Sequence, residues 1–541
     1  MSRALAVRPA RESAAIGLVA AALSAAILWL GPPGIDLPAH LYQRELFVEH
    51  GLVLWNNFWY AGRYSFVTYS LLYYPLAAVL GMKALALVSV VLATFAFGVV
   101  VLREWGPRAR ASAWAFGIVW PGTLLSATFP FTLGAAFALL ALVSLQARRR
   151  AWFCVLALLA IATSPLAFAL LAIVLAGVGL TRWRDRNGVL LPALVVAGGV
   201  AVELVVVRLF PGGGSYPFRV RDFVPALTFA AVGVLATRGY SRTRLLSGFF
   251  AAYGLVCIAV FLVPGEVGGN VARVQYAAVP VALLVVALRG WRPLRLVVPL
   301  ALLACAWNLG ALAGNLERST TDEARSPAYW AATTGFLHRQ LTPDYRVEAV
   351  DTVGHWPAVY LPEAGIPLAR GWYRQDDFPL NRILYSHYGP RAYRSWLRRM
   401  AVRYVVLPDA QPDYSSEDEA ELLRSGRSGL PVVFRTRHVT VFGVSRPQPL
   451  VTGPYQARVV RLGSTRAVIA AGGAGTYRVA IRYSPYWRPS TGCLTRAPHG
   501  MLALAVPRAG RVVLHLQVTV TRGIEVLAGE VARRTCAPAT S

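Results

Sequence analysis

Residues 14–30 read "AAIGLVAAALSAAILWL", an apolar run with no charged residue, preceded by Arg3, Arg8 and Arg11. Basic residues before an apolar core also mark a signal peptide, but no tidy cleavage site comes before Asp36, and the run is long enough to span a bilayer. It is therefore expected to be a retained first membrane helix. Further apolar segments recur at 83–102, 112–128, 131–146, 151–163, 165–181, 189–209, 223–237, 245–263, 275–289 and 296–314. Several are shorter than the roughly 20 residues that a straight crossing needs, so they must extend into their flanks or be buried in protein. A mean hydropathy of +0.49 agrees with this repetition. So does a chain of 541 residues that is 56% hydrophobic and only 15% charged, well outside the range of soluble domains. The fold class is thus a polytopic α-helical membrane protein with about eleven transmembrane helices.

The formal charge is +28, and Lys83 is the only lysine, so nearly all of the positive charge is arginine. Such a charge suggests nucleic acid as a partner. Much of the arginine, however, sits in short turns between apolar runs, where it orients a membrane protein, and no nucleic-acid partner is expected. Arg103, Arg108, Arg110, Arg148 to Arg150, "TRWRDR" (181–186), "TRGYSRTR" (237–244) and "RGWRPLR" (289–295) all fall on the side of the N-terminus if every segment crosses. The intervening "TFP" (128–130) and "TSP" (163–165) are tight and uncharged. Eleven crossings from an inside N-terminus put the chain beyond Asn315 outside the cytoplasmic (plasma) membrane. Arg219, Arg221 and Arg273 break the pattern, since they fall on the outer side. They are either tolerated exceptions that touch lipid headgroups or ligands for an anionic group such as a lipid phosphate.

The organisation read from the chain is a membrane domain over 1–314 with a first outer loop at 32–82, a mixed α/β region over 315–430, and a β-rich, sandwich-like domain over 431–541. "SPAYWAATTGFLHRQL" is helical in pattern, and "RAYRSWLRRMAVRYVVLPD" joins a basic helix to a short strand. From Pro431 onward, "VVFRTRHVTVFGVS", "YQARVVRLGSTRAVIAA", "TYRVAIRYSPYW", "LALAVPRAGRVVLHLQVTV" and "GIEVLAGEVARR" alternate apolar and polar residues between glycine and proline breaks. Cys154, Cys257 and Cys305 fall in apolar segments as small core residues. Cys493 and Cys536 could pair as a disulfide if the C-terminal third is extracytoplasmic. No metal-type spacing, P-loop or nucleophile elbow is present.

The first outer loop concentrates the candidate chemistry. From Leu37 to about Leu54 it is amphipathic, with Arg44, Glu45, Glu49 and His50 on the polar side, as in a helix lying on a membrane surface. Asp36 stands where an N-cap belongs, and a carboxylate fixed there can also serve as general base for an incoming hydroxyl. His40 follows one turn later and is expected on the wet face of the helix. Trp55, Trp59, Tyr60, Tyr64, Tyr69, Tyr73 and Tyr74 read first as an interfacial aromatic belt and second as the lining of a sugar- and lipid-binding cleft.

"GIDLPAHLY" after the first span, the long outer loop, "WNNFWYAGRYSFVTYSLLYYPL", the short hairpin spans, and "VRYVVL" and "YSPYWRPSTG" near the end resemble the GT-C superfamily of multi-spanning glycosyltransferases. The resemblance is strongest to bacterial pyruvoyl-tetrahydropterin-synthase-related membrane proteins. It implies a polyprenyl-phosphate sugar donor, an envelope glycan or lipid acceptor, contact with membrane lipids, and a C-terminal extracytoplasmic α/β plus β-sandwich-like domain. By the same resemblance Asp36 is the catalytic base, and Arg63, Arg219, Arg221 and Arg273 are candidate donor-phosphate ligands. His40, Arg44, Tyr60, Tyr69 and Tyr73 complete the candidate substrate contacts. Many members carry two adjacent acids in this loop. Here Leu37 follows Asp36, which leaves a divalent cation open and no cofactor assigned. A transporter or flippase of lipid-linked glycans and a non-catalytic glycan-binding protein are the competing readings. Glu203 is the main ionisable residue placed deep in a span, where transporters carry several.

Overall fold

Proline and small polar residues set the helix boundaries of the N-terminal part. In the computed structural model, which describes residues 2–184, 186–212, 214–320, 322–377 and 380–529, all eleven apolar segments fall on α- or 3-10 helix. Pro130 lies in the first turn of the helix Phe129–Gln146, after Ala127 in the left-handed region. Ser164 caps the helix Pro165–Arg182, its hydroxyl accepting from the Ala167 N–H at 3.3 Å. The "TFP" and "TSP" connections are therefore tight hairpin corners.

Among the described residues nine runs are long and apolar enough to cross a membrane, fewer than the eleven expected. Two physical reasons account for the difference. Met82–Ser126 is one 45-residue run made of two legs, folded so that Phe97 and Phe116 stack at 4.0 Å. Arg150–Thr163 has only 14 residues, and it buries Phe153, Ala157 and Ala160 against neighbouring helices. The chain is a polytopic α-helical membrane protein with a strand-rich C-terminal region.

The arginine turns gather at one end of the helical unit. Arg110 pairs with Glu12 at 3.0 Å and Arg182 with Glu104 at 3.1 Å, while the Trp105 indole donates to the Arg242 carbonyl at 3.0 Å. The opposite end carries the uncharged corners, where the Leu71 N–H donates to the Ala162 carbonyl at 2.9 Å.

The compact units divide the chain differently from the boundaries expected above. One unit comprises Met1–Leu37, Tyr69–Leu204 and Ser215–Thr320, and the other Pro38–Thr68, Val205–Gly214 and Thr321–Ser541. In the second unit, β1 (Arg346–Ala349), β2 (Val402–Pro408), β3 (Val432–Arg435) and β4 (Val439–Gly443) form a sheet of order β1-β2-β4-β3, with β1 parallel to β2 and the remaining pairs antiparallel. The predicted helices appear as Pro327–Gln340 and Pro390–Arg399. "VVFRTRHVTVFGVS" thus belongs to the mixed sheet, and the sandwich begins near Val451, not at Pro431.

The sandwich has two four-stranded antiparallel sheets. They are built from β5 (Val451–Thr452), β6 (Ala457–Leu462), β7 (Arg466–Ala471), β8 (Gly475–Arg482), β9 (Trp487–Pro489), β10 (Cys493–Arg496), β11 (Met501–Val506) and β12 (Gly510–Leu516). Their orders are β10-β11-β8-β5 and β6-β7-β12-β9. Val459, Ile469, Tyr477, Val479, Leu504, Val512 and Leu514 fill the core from alternate positions. The described start of "GIEVLAGEVARR" is helix and not strand, since Val520–Leu527 is a helix capped by Thr519, while residues 530–534 lie outside the described residues. Cys536 lies outside the described residues, and with it the proposed pairing to Cys493 on β10.

The aromatic belt is also corrected. Trp55, Trp59, Tyr60, Tyr64, Tyr73 and Tyr74 are all buried within protein, between 0% and 6% exposed. Trp55 and Tyr64 join the sandwich core, and only Tyr69 of the group is partly exposed. Amphipathic rings suit a headgroup layer and a protein core equally well, so composition alone does not separate the two.

Candidate active site

Asp36 directly precedes the helix Leu37–His50, the N-cap position that the sequence assigns to it. Its backbone N–H donates to the Ser126 carbonyl at 3.1 Å, and that of Ile35 to the Leu125 carbonyl at 3.4 Å. Gly34 permits this approach, since a Cβ there would stand 2.6 Å from both Cβ and N of Ala127. Asp36 is thus tied to a corner made by the 3-10 helix Trp120–Ser126 and the start of Phe129–Gln146.

Arg273 reaches the same corner from a distant part of the chain. It lies on the 3-10 helix Gly268–Ala277, where residues three apart eclipse, so Arg273 and Tyr276 share a face. The Tyr276 hydroxyl donates to Ser126 Oγ at 3.1 Å. The Arg273 guanidinium stands 5.2 Å above the Phe131 ring, and among the described residues no carboxylate pairs with it. Tyr73 also packs here, its ring 6.4 Å from Phe129 in a stacked arrangement. Ser126 and Tyr276 were not singled out in the sequence. A serine and a tyrosine 150 residues apart carry no local signal.

Arg219 and Arg221 sit at the start of the helix Val220–Thr237. The Tyr216 N–H donates to the Gly265 carbonyl at 3.0 Å, which ties this segment to the loop before the Arg273 helix. A Cβ on Gly268, at φ +41°, would lie 1.7 Å from the Tyr216 carbonyl oxygen. Arg221 is exposed, with its Nε 3.9 Å from Asp222.

The remaining candidates belong to the second unit, apart from Tyr69. His40 is not on a wet face: it is 0% exposed, with its ring 6.4 Å from Trp372. Arg44 is half-buried on the same helix. Arg63 Nε donates to Asp376 at 2.6 Å, and its guanidinium lies 4.0 Å over the Tyr373 ring. Burial works against that charge, but Asp376, Tyr373 and Tyr60 outweigh it and raise the guanidinium above its ordinary value. Tyr60 is buried at φ +58°.

A second polar network lies past the C-terminal ends of β1 and β2. His355 Nδ1 is 2.6 Å from Asp351, Arg374 pairs with Asp413, and the Asp413 N–H donates to the Asp351 carbonyl at 2.9 Å. Asp351, His355 and Asp413 are each below 8% exposed, so the network holds two loops together and presents little to solvent. Deeper in, Glu348 is wholly buried. Burial, reinforced by Glu419, pushes its carboxyl well above the usual range.

Among the described residues no three His, Cys, Asp or Glu side chains gather where they could hold a metal ion. At the Asp36 corner the hydroxyls of Ser126, Thr128 and Tyr276 come together.

No protein-family model and no curated protein matches the chain. Among solved structures, it is similar to the arabinofuranosyltransferase AftD from mycobacteria, with 18% identity and a TM-score of 0.47. The match covers 82% of this chain and 40% of that one, so this chain spans less than half of the neighbour's length.

Proposed function

We propose that this protein is a GT-C-type membrane glycosyltransferase that moves a sugar from a polyprenyl-phosphate donor to an extracytoplasmic glycan or lipid acceptor. The observation that carries the reading is the convergence of Asp36 and Arg273 on the corner formed by residues 124–131. Asp36 takes the proton from the acceptor hydroxyl as that oxygen attacks the anomeric carbon. The bond from that carbon to the donor phosphate breaks, and polyprenyl phosphate leaves. Arg273 stabilises the charge that builds on the departing phosphate. Arg219 and Arg221, on the segment tied to the Arg273 loop, draw the anionic donor toward it. The gathering of the arginine turns at one end of the helical unit supports an inside N-terminus, with the Asp36 end and the C-terminal region outside the plasma membrane.

The test is transfer of labelled sugar from a polyprenyl-phosphate donor by the purified, correctly inserted protein. Asp36→Asn is expected to lower turnover about 10²- to 10⁴-fold, the usual contribution of a general base. Arg273→Gln is expected to lower it about 10²- to 10³-fold. Wild-type turnover in Asp36→Asn removes Asp36 as the base. Movement of an intact lipid-linked glycan across liposomes, without transfer, makes the protein a flippase.

A further inference from the structure

The second unit contains a cleft whose charges do not balance. Arg63, Asp376 and Arg482 line it together with Tyr64, Thr68 and Tyr483, and it holds about 310 Å³ of space, part of it open to solvent. Arg63 spends Nε on Asp376 at 2.6 Å and Nη2 on Thr68 at 3.3 Å. Its Nη1 is buried with no hydrogen-bond partner, on a residue only 4% exposed. Arg482, on β8, donates its backbone N–H to the Ala61 carbonyl at 2.8 Å. Among the described residues its guanidinium has no ion pair or hydrogen bond. Two guanidinium groups thus face one carboxylate. An unpaired cation in a partly dehydrated cleft is costly, and the group that relieves the cost is an anion.

We propose that this cleft binds an oxyanion, a phosphate or carboxylate group carried by a small saccharide or by a lipid headgroup, held between Arg482 and the free arm of Arg63. The planar fork of arginine matches either oxyanion. The surroundings agree. Burial pushes the Arg482 guanidinium below its ordinary value, Asp376 opposes that shift and Arg63 adds to it. Arg522, Arg496 and Arg488 bear on neighbouring Tyr483, so the positive field extends beyond the cleft. The proposal is independent of the role of Asp36, because it concerns binding in the absence of donor and acceptor.

The test uses the full chain in nanodiscs of zwitterionic lipid, with inorganic phosphate and glucuronate as soluble probes and anionic lipid as a third arm. Equilibrium binding and the shift in Tm are read for wild type, Arg482→Gln and Arg482→Lys. At least one probe is expected to bind wild type and raise its Tm. Arg482→Gln is expected to weaken that binding about 10- to 100-fold, and Arg482→Lys to retain part of it. The ligand-free Tm of Arg482→Gln should not fall, because the substitution orphans no partner. An Arg482-dependent shift with anionic lipid alone identifies the oxyanion as a headgroup. Absence of any shift in wild type, or equal binding by Arg482→Gln, overturns the proposal.

Discussion

At the scale of single residues, His355 shows how burial and charge set a pH response. Asp351, Arg374, Asp413 and Asp322 all bear on its ring. Burial disfavours the imidazolium, but Asp351 at 2.6 Å outweighs burial and raises the imidazole above its ordinary value of 6.5. A group raised on folding contributes stability that is fully present below its unfolded value and is lost as pH rises through its folded one. Asp413 runs the other way. Burial raises it, yet Arg374, His355 and Ser415 together hold it below the usual carboxylate range. Its contribution is present above about pH 4 and fades only in stronger acid. The network is therefore strongest between about pH 4 and 6.5. Asp351→Asn is expected to cost about 3–5 kcal/mol at pH 6, as for a buried pair that loses one partner, and less at pH 9. Thermal unfolding of wild type and variant at the two pH values checks this; an equal cost at both removes His355 as the titrating group. None of the network was readable in the sequence, because "VDTVGHW" gains its meaning only when the 411–416 loop brings up Asp413. The helix start after Asp36 was readable because such starts are local, and the tie of the Asp36 backbone to Ser126 was not.

At the scale of elements, the helix after Asp36 starts where expected but ends at His50 and not near Leu54, and its faces differ from those expected. Its buried residues are Pro38, Ala39, His40, Tyr42, Gln43 and Leu46, whereas His40 was expected on the wet face. An amphipathic pattern separates water from what is not water, and cannot distinguish lipid from a protein wall that accepts a histidine and a glutamine. The hairpin corners were readable because Ser-Pro and Phe-Pro fix them. What holds Asp36 is instead a close approach of two backbones. Gly34→Ala sets a methyl group 2.6 Å from backbone and side chain of Ala127 and from the Leu124 carbonyl. It is expected to cost about 1–3 kcal/mol and to lower transfer while leaving the Asp36 carboxylate chemically intact. Gly198→Ala, in the helix Arg186–Leu209 with nothing within 4 Å, is the control and should retain both stability and turnover. Wild-type turnover in Gly34→Ala would separate the corner from the positioning of Asp36.

At the scale of the whole molecule, the strand-rich unit is not a contiguous tail. Trp55, Tyr64 and Phe210 belong to the sandwich core at 1%, 6% and 9% exposure. The segment around them is fastened by hydrogen bonds from Asn57 Nδ2 to the Gly463 carbonyl at 2.8 Å, from the Trp59 indole to the Ala358 carbonyl at 2.9 Å, and between the Tyr64 and Ser484 hydroxyls at 2.8 Å. The change of composition after Asn315 marked where soluble-type sequence begins, but it could not show that residues 38–68 complete that unit. Pairing between segments hundreds of residues apart leaves no trace in local periodicity. Each large aromatic ring removed from a core costs about 3–5 kcal/mol, against a total stability of about 5–15 kcal/mol for a domain. A fragment beginning at residue 321 loses three such rings and the Arg63–Asp376 ion pair together. It is expected to lack a cooperative thermal transition and a near-UV circular dichroism signal. Supplying residues 38–68 and 205–214 through short linkers should restore both. A cooperative transition in the bare fragment, at the temperature where this unit melts in the full chain, would show that the loop segments decorate the sandwich and do not complete its core.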